Sequence, residues 1–420
     1  MKIKVKPSFL QGEINAVSSK SDVHRMLFCA AGADRETTII SNVLSDDIKA
    51  TISVISSLGA NVITEKKNNE YYISVTPIKT VAEKPKLHCF ESGSTARFAI
   101  PYAAALYDEF TVTGSEGLEK RPFLDICLCL SKRGCNISSY TLPITVKKML
   151  VCGDYFIDGD ISSQYISGLL LALPLLNGES RIILTSPLKS SGYVDMTIKT
   201  LKQFGVPVYK NGNEYIIKNF KYKSPGVIRA EGDWSNSGFW LAAGAINGDI
   251  TVKGLNINSC QKDRLILDFL EDMGADITKN ENSICVKKSA LHGIDIDAEN
   301  IPDMVMSFVP AAVYSSDKTT INNTNRLRIK ESDRVNSIKE VLKNIGGKCI
   351  VYKNKIVIHQ SEIIGGQVDS FNDHRVAMMA AVLAIAGSDS VSIKKAEAVN
   401  KTYPHFFEDF VKLGGNIDVI

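Results

Sequence analysis

An amphipathic helical stretch running into Leu-Gly-Ala-x-Val, or a near variant of it, occurs six times along this chain, and no other feature narrows the possible folds so far. Its glycines are Gly59, Gly134, Gly205, Gly274, Gly346 and Gly414, separated by 75, 71, 69, 72 and 68 residues. A glycine directly after a helix suits the left-handed position that closes it, and the apolar or β-branched residues beyond it start a strand. A second helix, richer in Ala and Leu and so expected to be buried all round, recurs with the same period from Ser21, Ser92, Ser163, Ser235, Asp303 and Asp373. Ser and Asp are residue types that cap a helix N-terminus. Short β-branched segments such as Thr37–Ile40, Phe110–Thr113 and Arg181–Leu184 lie between the helices. The unit is a βαβαββ block, present six times. Six blocks could build an open solenoid, but their sheets and buried helices are better sealed when three close on one another. Two similar α/β domains are therefore expected, with Gly232 near the crossover between them.

Length and composition exclude several function classes. A chain of 420 residues has room for two to four domains at roughly 100–200 residues each. Its 44% apolar and 23% charged residues are ordinary for a globular protein, and a net charge of +3 provides no field that would draw nucleic acid or an anionic membrane. Any anion binding must be local. The longest nearly apolar runs, 168–176 and 376–387, fall well short of the roughly 20 residues that span a bilayer. The opening Lys-Ile-Lys-Val-Lys has no hydrophobic core of a leader peptide, so export is not expected. Nine cysteines without Cys-x-x-Cys pairs read as reduced, mostly buried thiols in a cytoplasm. No His-Glu-x-x-His, phosphate loop or Gly-x-Gly-x-x-Gly is present.

The repeat distributes charge unevenly. Starts of the buried helices carry Lys20, Ser21 and Arg25; Ser92, Gly93, Ser94 and Arg97; Ser162, Ser163 and Gln164; Asp303; and Asp373, His374 and Arg375. Free N–H groups at a helix start, with a Lys or Arg beside them, make an anion site. The amphipathic helices add a second basic series at Lys120-Arg121, Lys189-Ser190 to Tyr193, Arg326 to Arg334, and Lys401. In Lys330-Glu331-Ser332-Asp333-Arg334, Lys330 and Arg334 are four apart and are expected to share a helical face, with Glu331 beside them as a proton donor. A charge run by itself is usually a solvated face. Recurrence at one phase of successive repeats argues instead that both series face one cleft. Asp303 is either a plain N-cap or a base, His374 a structural hydrogen-bonder or an anion ligand, and Cys260, with no histidine near it in sequence, a buried thiol rather than a nucleophile.

Taken together, Lys330 to Arg334, Asn372-Asp373-His374-Arg375 with Val376-Ala377-Met378, and Lys401-Thr402-Tyr403-Pro404 resemble the signatures of the 5-enolpyruvylshikimate-3-phosphate synthase family, the 3-phosphoshikimate 1-carboxyvinyltransferases. The likeness runs from Lys20 to the end of the chain. It implies a two-domain inside-out α/β barrel of six βαβαββ repeats, three per domain. Residues 1–18 and 232–420 would form one domain and 19–231 the other, with the active site in the cleft between them. It implies transfer of the enolpyruvyl group of phosphoenolpyruvate to the 5-hydroxyl of shikimate 3-phosphate, with no metal or organic cofactor, by a cytoplasmic monomer that is a target of glyphosate. Carried over by position, Lys20, Ser21, Arg25, Ser162, Ser163, Gln164, Ser190, Tyr193, Asp303 and Lys330 would hold shikimate 3-phosphate. Lys20, Gly93, Arg121, Gln164, Arg334, Arg375 and Lys401 would hold phosphoenolpyruvate. Asp303 as base, Glu331 as acid and Lys20 would form the catalytic set. The chain departs from the family pattern at Glu91 and Arg326, where Asn is frequent, and at Val17-Ser18-Ser19 in place of Pro-Gly-Ser.

Two other readings compete. The UDP-N-acetylglucosamine 1-carboxyvinyltransferases share donor and fold, but that family usually carries a reactive cysteine just before the position of Arg121, and 111–120 contains none. A repeat protein that only binds polyanions would have no use for Asp303 and Glu331, carboxylates that repel such a ligand.

Overall fold

The structure is a computed structural model in which residues 1–80 and 83–420 are described. The chain divides into two compact units, Ser18–Ala230 and Met1–Val17 with Glu231–Ile420. Among the described residues each unit holds three four-stranded sheets.

The helices of the first unit are α1 (Lys20–Ala31), α2 (Asp46–Ser57), α3 (Gly93–Ala104), α4 (Glu116–Glu119), α5 (Leu124–Lys132), α6 (Ser163–Ala172) and α7 (Ser191–Gln203). Those of the second are α8 (Trp234–Asn247), α9 (Ile266–Asp272), α10 (Val305–Tyr314), α11 (Arg334–Ile345), α12 (His374–Ala384) and α13 (Phe406–Lys412). One repeat shows the rule. Strand Lys86–His88 leads through α3 to Glu109–Thr113, which runs parallel beside it; α5 then leads to the hairpin Asn136–Ile137 and Ile144–Lys147, whose second strand pairs antiparallel with Glu109–Thr113. Parallel neighbours need a crossover and antiparallel ones only a turn, so each repeat spends its helices between parallel or sheet-changing strands and a tight loop on the hairpin.

Two repeats are completed by distant segments. Val227–Arg229, at the end of the first unit, supplies the parallel edge strand beside Thr37–Ser41. In the second unit, Leu10–Asn15 pairs parallel with Gly248–Lys253, and Lys2–Lys6 lies between Val391–Lys394 and Asn416–Val419. Six βαβαββ repeats, three to a unit, are thus present, as the periodicity predicts.

The Ala- and Leu-rich helices form the cores. α3 packs on α6, α8 on α10, and α10 on α12. All eleven residues of α12 and all but Asn247 of α8 are buried. Burial of an apolar side chain contributes about 1.5–3 kcal/mol, so a helix buried on every face tolerates an interior proline that costs about 3 kcal/mol. Pro101 sits inside α3 and Pro310 inside α10. The six glycines that end the amphipathic helices all have positive φ, from 75° at Gly205 to 95° at Gly134.

Three expectations need correction. Asp303 is not an N-cap: α10 starts at Val305 after Met304, which makes no side-chain cap bond. The residue before the helix is Ser19 rather than Ser21 in the first repeat, Ser162 rather than Ser163 in the third, and Asp233 rather than Ser235 in the fourth. Cys260 is half-buried rather than buried, although all nine cysteines are free and burial pushes the thiols of Cys127 and Cys129 up to about 12. No helix among the described residues is long and apolar enough to cross a membrane.

Candidate active site

The predicted site residues fall into one cluster in each unit. In Ser18–Ala230 the cluster is built on the starts of α1, α3, α6 and α7. Lys20 opens α1, and its Nζ lies 2.5 Å from Asp47 Oδ2 in the first turn of α2. The two side chains are only 13% and 10% exposed, so the pair is much less screened than a surface ion pair. One turn on, Arg25 donates from Nε to Thr197 Oγ1 at 2.7 Å, from Nη2 to Tyr193 O at 2.8 Å and from Nη1 to Ser21 O at 2.5 Å. Its guanidinium also lies over the Phe98 ring, 5.3 Å from the centroid. Arg25 therefore ties α1 to α3 and α7. Ser190, just before α7, holds a left-handed backbone with φ 54°, a conformation that costs a non-glycine residue of order 1–3 kcal/mol and that structures keep mainly at functional sites.

Gln164 joins α6 to α3. Its Oε1 accepts from Arg97 Nη1 at 2.6 Å, and its Nε2 donates to Ser94 Oγ at 2.8 Å. The Arg97 guanidinium lies over the rings of Phe123 and Tyr165, 5.4 and 5.6 Å from their centroids. At Gly93 a Cβ would sit 2.8 Å from Arg121 Cζ and 3.0 Å from Arg97 Nη1, so any side chain there would displace the two guanidiniums. Two guanidiniums thus close on the start of α3, where helix amides point outward. Ser162 caps α6 through Gln164 N, and Ser163 is its buried first residue. The Glu91 carboxyl lies over Gly117 of α4, a short helix that the sequence did not foretell.

The cluster of the second unit centres on Arg334, which is fully buried. Its Nε donates to Asp373 Oδ2 at 2.9 Å, Nη1 to Asp303 Oδ1 at 2.6 Å and Nη2 to Glu331 Oε2 at 2.7 Å. Lys330 Nζ approaches the same Asp303 oxygen at 3.3 Å and Arg375 Nε at 3.9 Å. Burial alone would push the Arg334 guanidinium down, but the three carboxylates outweigh it and hold it above its usual value. Burial draws the Lys330 ammonium down, with Asp303 opposing. Lys401 Nζ donates to Asn372 O at 3.2 Å, on a turn where Phe371 and Asn372 both have positive φ. His374 is buried in the first turn of α12, with Nδ1 3.8 Å from Asp373. Arg326 donates to the carbonyl of Glu299 at 3.3 Å.

Lys330 and Arg334 do not share a helical face, contrary to the expectation from their spacing. Asp333 caps α11 through Asn336 N, so the helix begins only at Arg334 and Lys330 stands before it in extended backbone. Both still reach Asp303, by different routes. Sequence reasoning also missed Asp47, whose tie to Lys20 spans 27 residues, and Asp263. Asp263 is buried, accepts from Ser235 Oγ and is raised to about 6, chiefly by burial and then by Asp303, with Arg375 opposing. It lies in Cys260-Gln261-Lys262-Asp263-Arg264, a segment that drew notice only for its cysteine.

Comparison with known proteins accords with this geometry. The family described as EPSP synthase (3-phosphoshikimate 1-carboxyvinyltransferase) matches residues 5–410. A 3-phosphoshikimate 1-carboxyvinyltransferase of Clostridium kluyveri is 42% identical over 99% of this chain and 98% of its own length. One of Clostridium acetobutylicum is 39% identical over the same shares. Among solved structures, an EPSP synthase of Acinetobacter baumannii superposes with a TM-score of 0.82 at 24% identity, covering 100% of both chains. An enolpyruvyl transferase of Streptomyces tendae does so with a TM-score of 0.80 at 14% identity, over 99% of this chain and 98% of that one. The two-domain inside-out α/β barrel is the fold they share. With its motifs in order along the whole length and its repeats in place, this chain belongs to the EPSP synthase (3-phosphoshikimate 1-carboxyvinyltransferase) family.

Proposed function

We propose that the protein transfers the enolpyruvyl group of phosphoenolpyruvate to the 5-hydroxyl of shikimate 3-phosphate and releases inorganic phosphate. The observation that carries the reading furthest is the attachment of Asp303 and Glu331 to separate nitrogens of one buried arginine, with Lys330 beside Asp303. Enolpyruvyl transfer needs a base and an acid held apart on one rigid frame: C2 of the donor becomes electrophilic only as C3 is protonated, while the attacking hydroxyl gives up its proton. In this reading Asp303 takes the hydroxyl proton and Glu331 protonates C3. The tetrahedral adduct then loses phosphate and a C3 proton.

The substrates carry two phosphates and two carboxylates between them, which accounts for the number of basic groups. Ser21, Arg25, Ser162, Ser163, Ser190 and Tyr193 receive shikimate 3-phosphate, while Gly93, Arg121, Arg334, Arg375 and Lys401 receive phosphoenolpyruvate. Lys20 and Gln164 serve both, and Lys330 faces the reacting hydroxyl. The incoming carboxylate competes with Glu331 and Asp303 for Arg334, so binding itself frees the acid and the base. Each unit supplies one cluster: Ser18–Ala230 most of the shikimate 3-phosphate contacts, and Glu231–Ile420 the acid and the base. The protein works as a cytoplasmic monomer with no metal or organic cofactor; nine free thiols suit a reducing compartment.

The test is phosphate release from phosphoenolpyruvate by purified protein with shikimate 3-phosphate, with UDP-N-acetylglucosamine, or with no acceptor. Release that requires shikimate 3-phosphate is expected. Release with the nucleotide sugar would transfer the protein to the other acceptor class, and none with either would leave only anion binding.

A further inference from the structure

Two rungs join α1 to α2. Lys20 and His24, four apart on α1, meet Asp47 and Thr51, four apart on α2: Lys20 Nζ lies 2.5 Å from Asp47 Oδ2, and His24 Nδ1 lies 2.6 Å from Thr51 Oγ1. The second rung continues into α3. Thr51 Oγ1 is 2.6 Å from Thr95 Oγ1, which donates to Ser92 Oγ at 2.7 Å, and Ser92 also accepts from Thr95 N as the cap of α3. His24, Thr51, Thr95 and Ser92 are all fully buried.

Proton counting gives this chain a direction. A hydroxyl has one proton to donate. Thr95 gives its proton to Ser92, so the 2.6 Å contact with Thr95 takes the Thr51 proton in preference to the 3.4 Å approach of Thr51 Oγ1 to Asp47 O, and the Thr51 oxygen must accept from His24. The imidazole is therefore the Nδ1–H tautomer, and His24 Nε2 is left buried with no hydrogen-bond partner among the described residues. Burial, with Lys20 and Arg25 nearby, holds the ring neutral, consistent with a single ring proton. A buried polar chain with one donor order from His24 through Thr51 and Thr95 to Ser92 fixes spacing more firmly than apolar contact would. What it spaces are two helix starts, that of α1 with Lys20 and that of α3 with Gly93.

We propose that Thr51 is a positioning residue for phosphoenolpyruvate: through His24 and Thr95 it sets the distance between the Lys20–Asp47 pair and the Gly93 start of α3. The proposal rests on the reading above of Lys20 and Gly93 as donor contacts. Thr51 touches no substrate and acts only through its neighbours.

Thr51→Val keeps the shape and removes the hydroxyl, whereas Thr51→Ser keeps the hydroxyl. Thr51→Val is expected to raise KM for phosphoenolpyruvate about tenfold while kcat and KM for shikimate 3-phosphate change about threefold or less, and Thr51→Ser is expected to restore the wild-type value. Thr95→Val cuts the same chain one link later and provides a second route if Thr51→Val does not fold. The double variant is expected to be no worse than the more damaged single one, because one broken link already disconnects the chain. Ring-nitrogen NMR of wild-type protein should show the Nδ1–H tautomer at His24 whether or not the enzyme turns over. An unchanged KM for phosphoenolpyruvate in both single variants, additive effects in the double, or an Nε2–H tautomer would overturn the role of Thr51. Absence of transfer by the wild type would instead overturn the proposed reaction, leaving the tautomer to judge the chain.

Discussion

At the scale of the residue, the second cluster divides labour between carboxylates by their surroundings. Asp303 and Glu331 each retain some exposure beside cations, whereas Asp263 is sealed among neighbours. Glu331→Gln keeps the shape and a hydrogen bond to Arg334 but cannot supply a proton, so kcat should fall about 10²–10⁴-fold in steady-state assays with a far smaller loss of shikimate 3-phosphate affinity. Asp303→Ala should behave likewise; equal losses in both quantities would count against these roles. Asp263 affects stability in a predictable direction. Its folded value is raised to about 6, so its stabilising effect is complete below the ordinary carboxyl range near 4 and is lost as pH rises through about 6. Asp263→Asn should therefore melt higher than wild type at pH 7–8, by on the order of 2 kcal/mol, and the gap should close towards pH 4. The clustered cations and Glu331 were legible in the sequence because they stand together in short motifs. Their partners were not: Asp47 meets Lys20 only after the two helices of the first repeat have packed, and Asp373 meets Arg334 only after the fifth and sixth repeats have.

At the scale of the element, the glycines that end the amphipathic helices were the plainest signal, and they separate backbone strain from crowding. Gly414 has φ 92° and its nearest neighbour for a Cβ is Phe9 O at 3.5 Å, so Gly414→Ala measures the left-handed conformation almost alone, about 1–2 kcal/mol. Gly346 has φ 93°, but a Cβ there would lie 2.8 Å from Ile364 Cγ1 and 3.0 Å from Glu362 O. Gly346→Ala should thus lower the melting temperature more than Gly414→Ala; equal shifts would mean that the crowding relaxes freely. Helix starts were read to within about two residues because caps are local chemistry. The error at Lys330 has the same origin, since Asp333 is the cap and a pure spacing argument ignored it.

At the scale of the whole molecule, the two units differ in how chain order supplies their sheets. Ser18–Ala230 contains every strand of its three sheets, whereas Glu231–Ile420 lacks Lys2–Lys6 and Leu10–Asn15. Residues 18–230 expressed alone should show a cooperative thermal transition, and residues 231–420 alone should not. The second piece should recover if 1–17 are joined after Ile420, whose N–H already donates to Lys2 O at 2.9 Å. Periodicity predicted the repeats but not this borrowing, because a strand carries no mark of the sheet that will receive it. The borrowing bears on synthesis. At about 5–20 residues per second, Lys2–Lys6 leaves the ribosome on the order of 20–80 s before Val391–Lys394 and Asn416–Val419 exist to flank it. A bare strand waiting that long invites aggregation, and alternating lysines are a recognised protection for unpaired edges. Lys2, Lys4 and Lys6, interleaved with the buried Ile3 and Val5, would give this strand that protection until its neighbours in the last sheet are made.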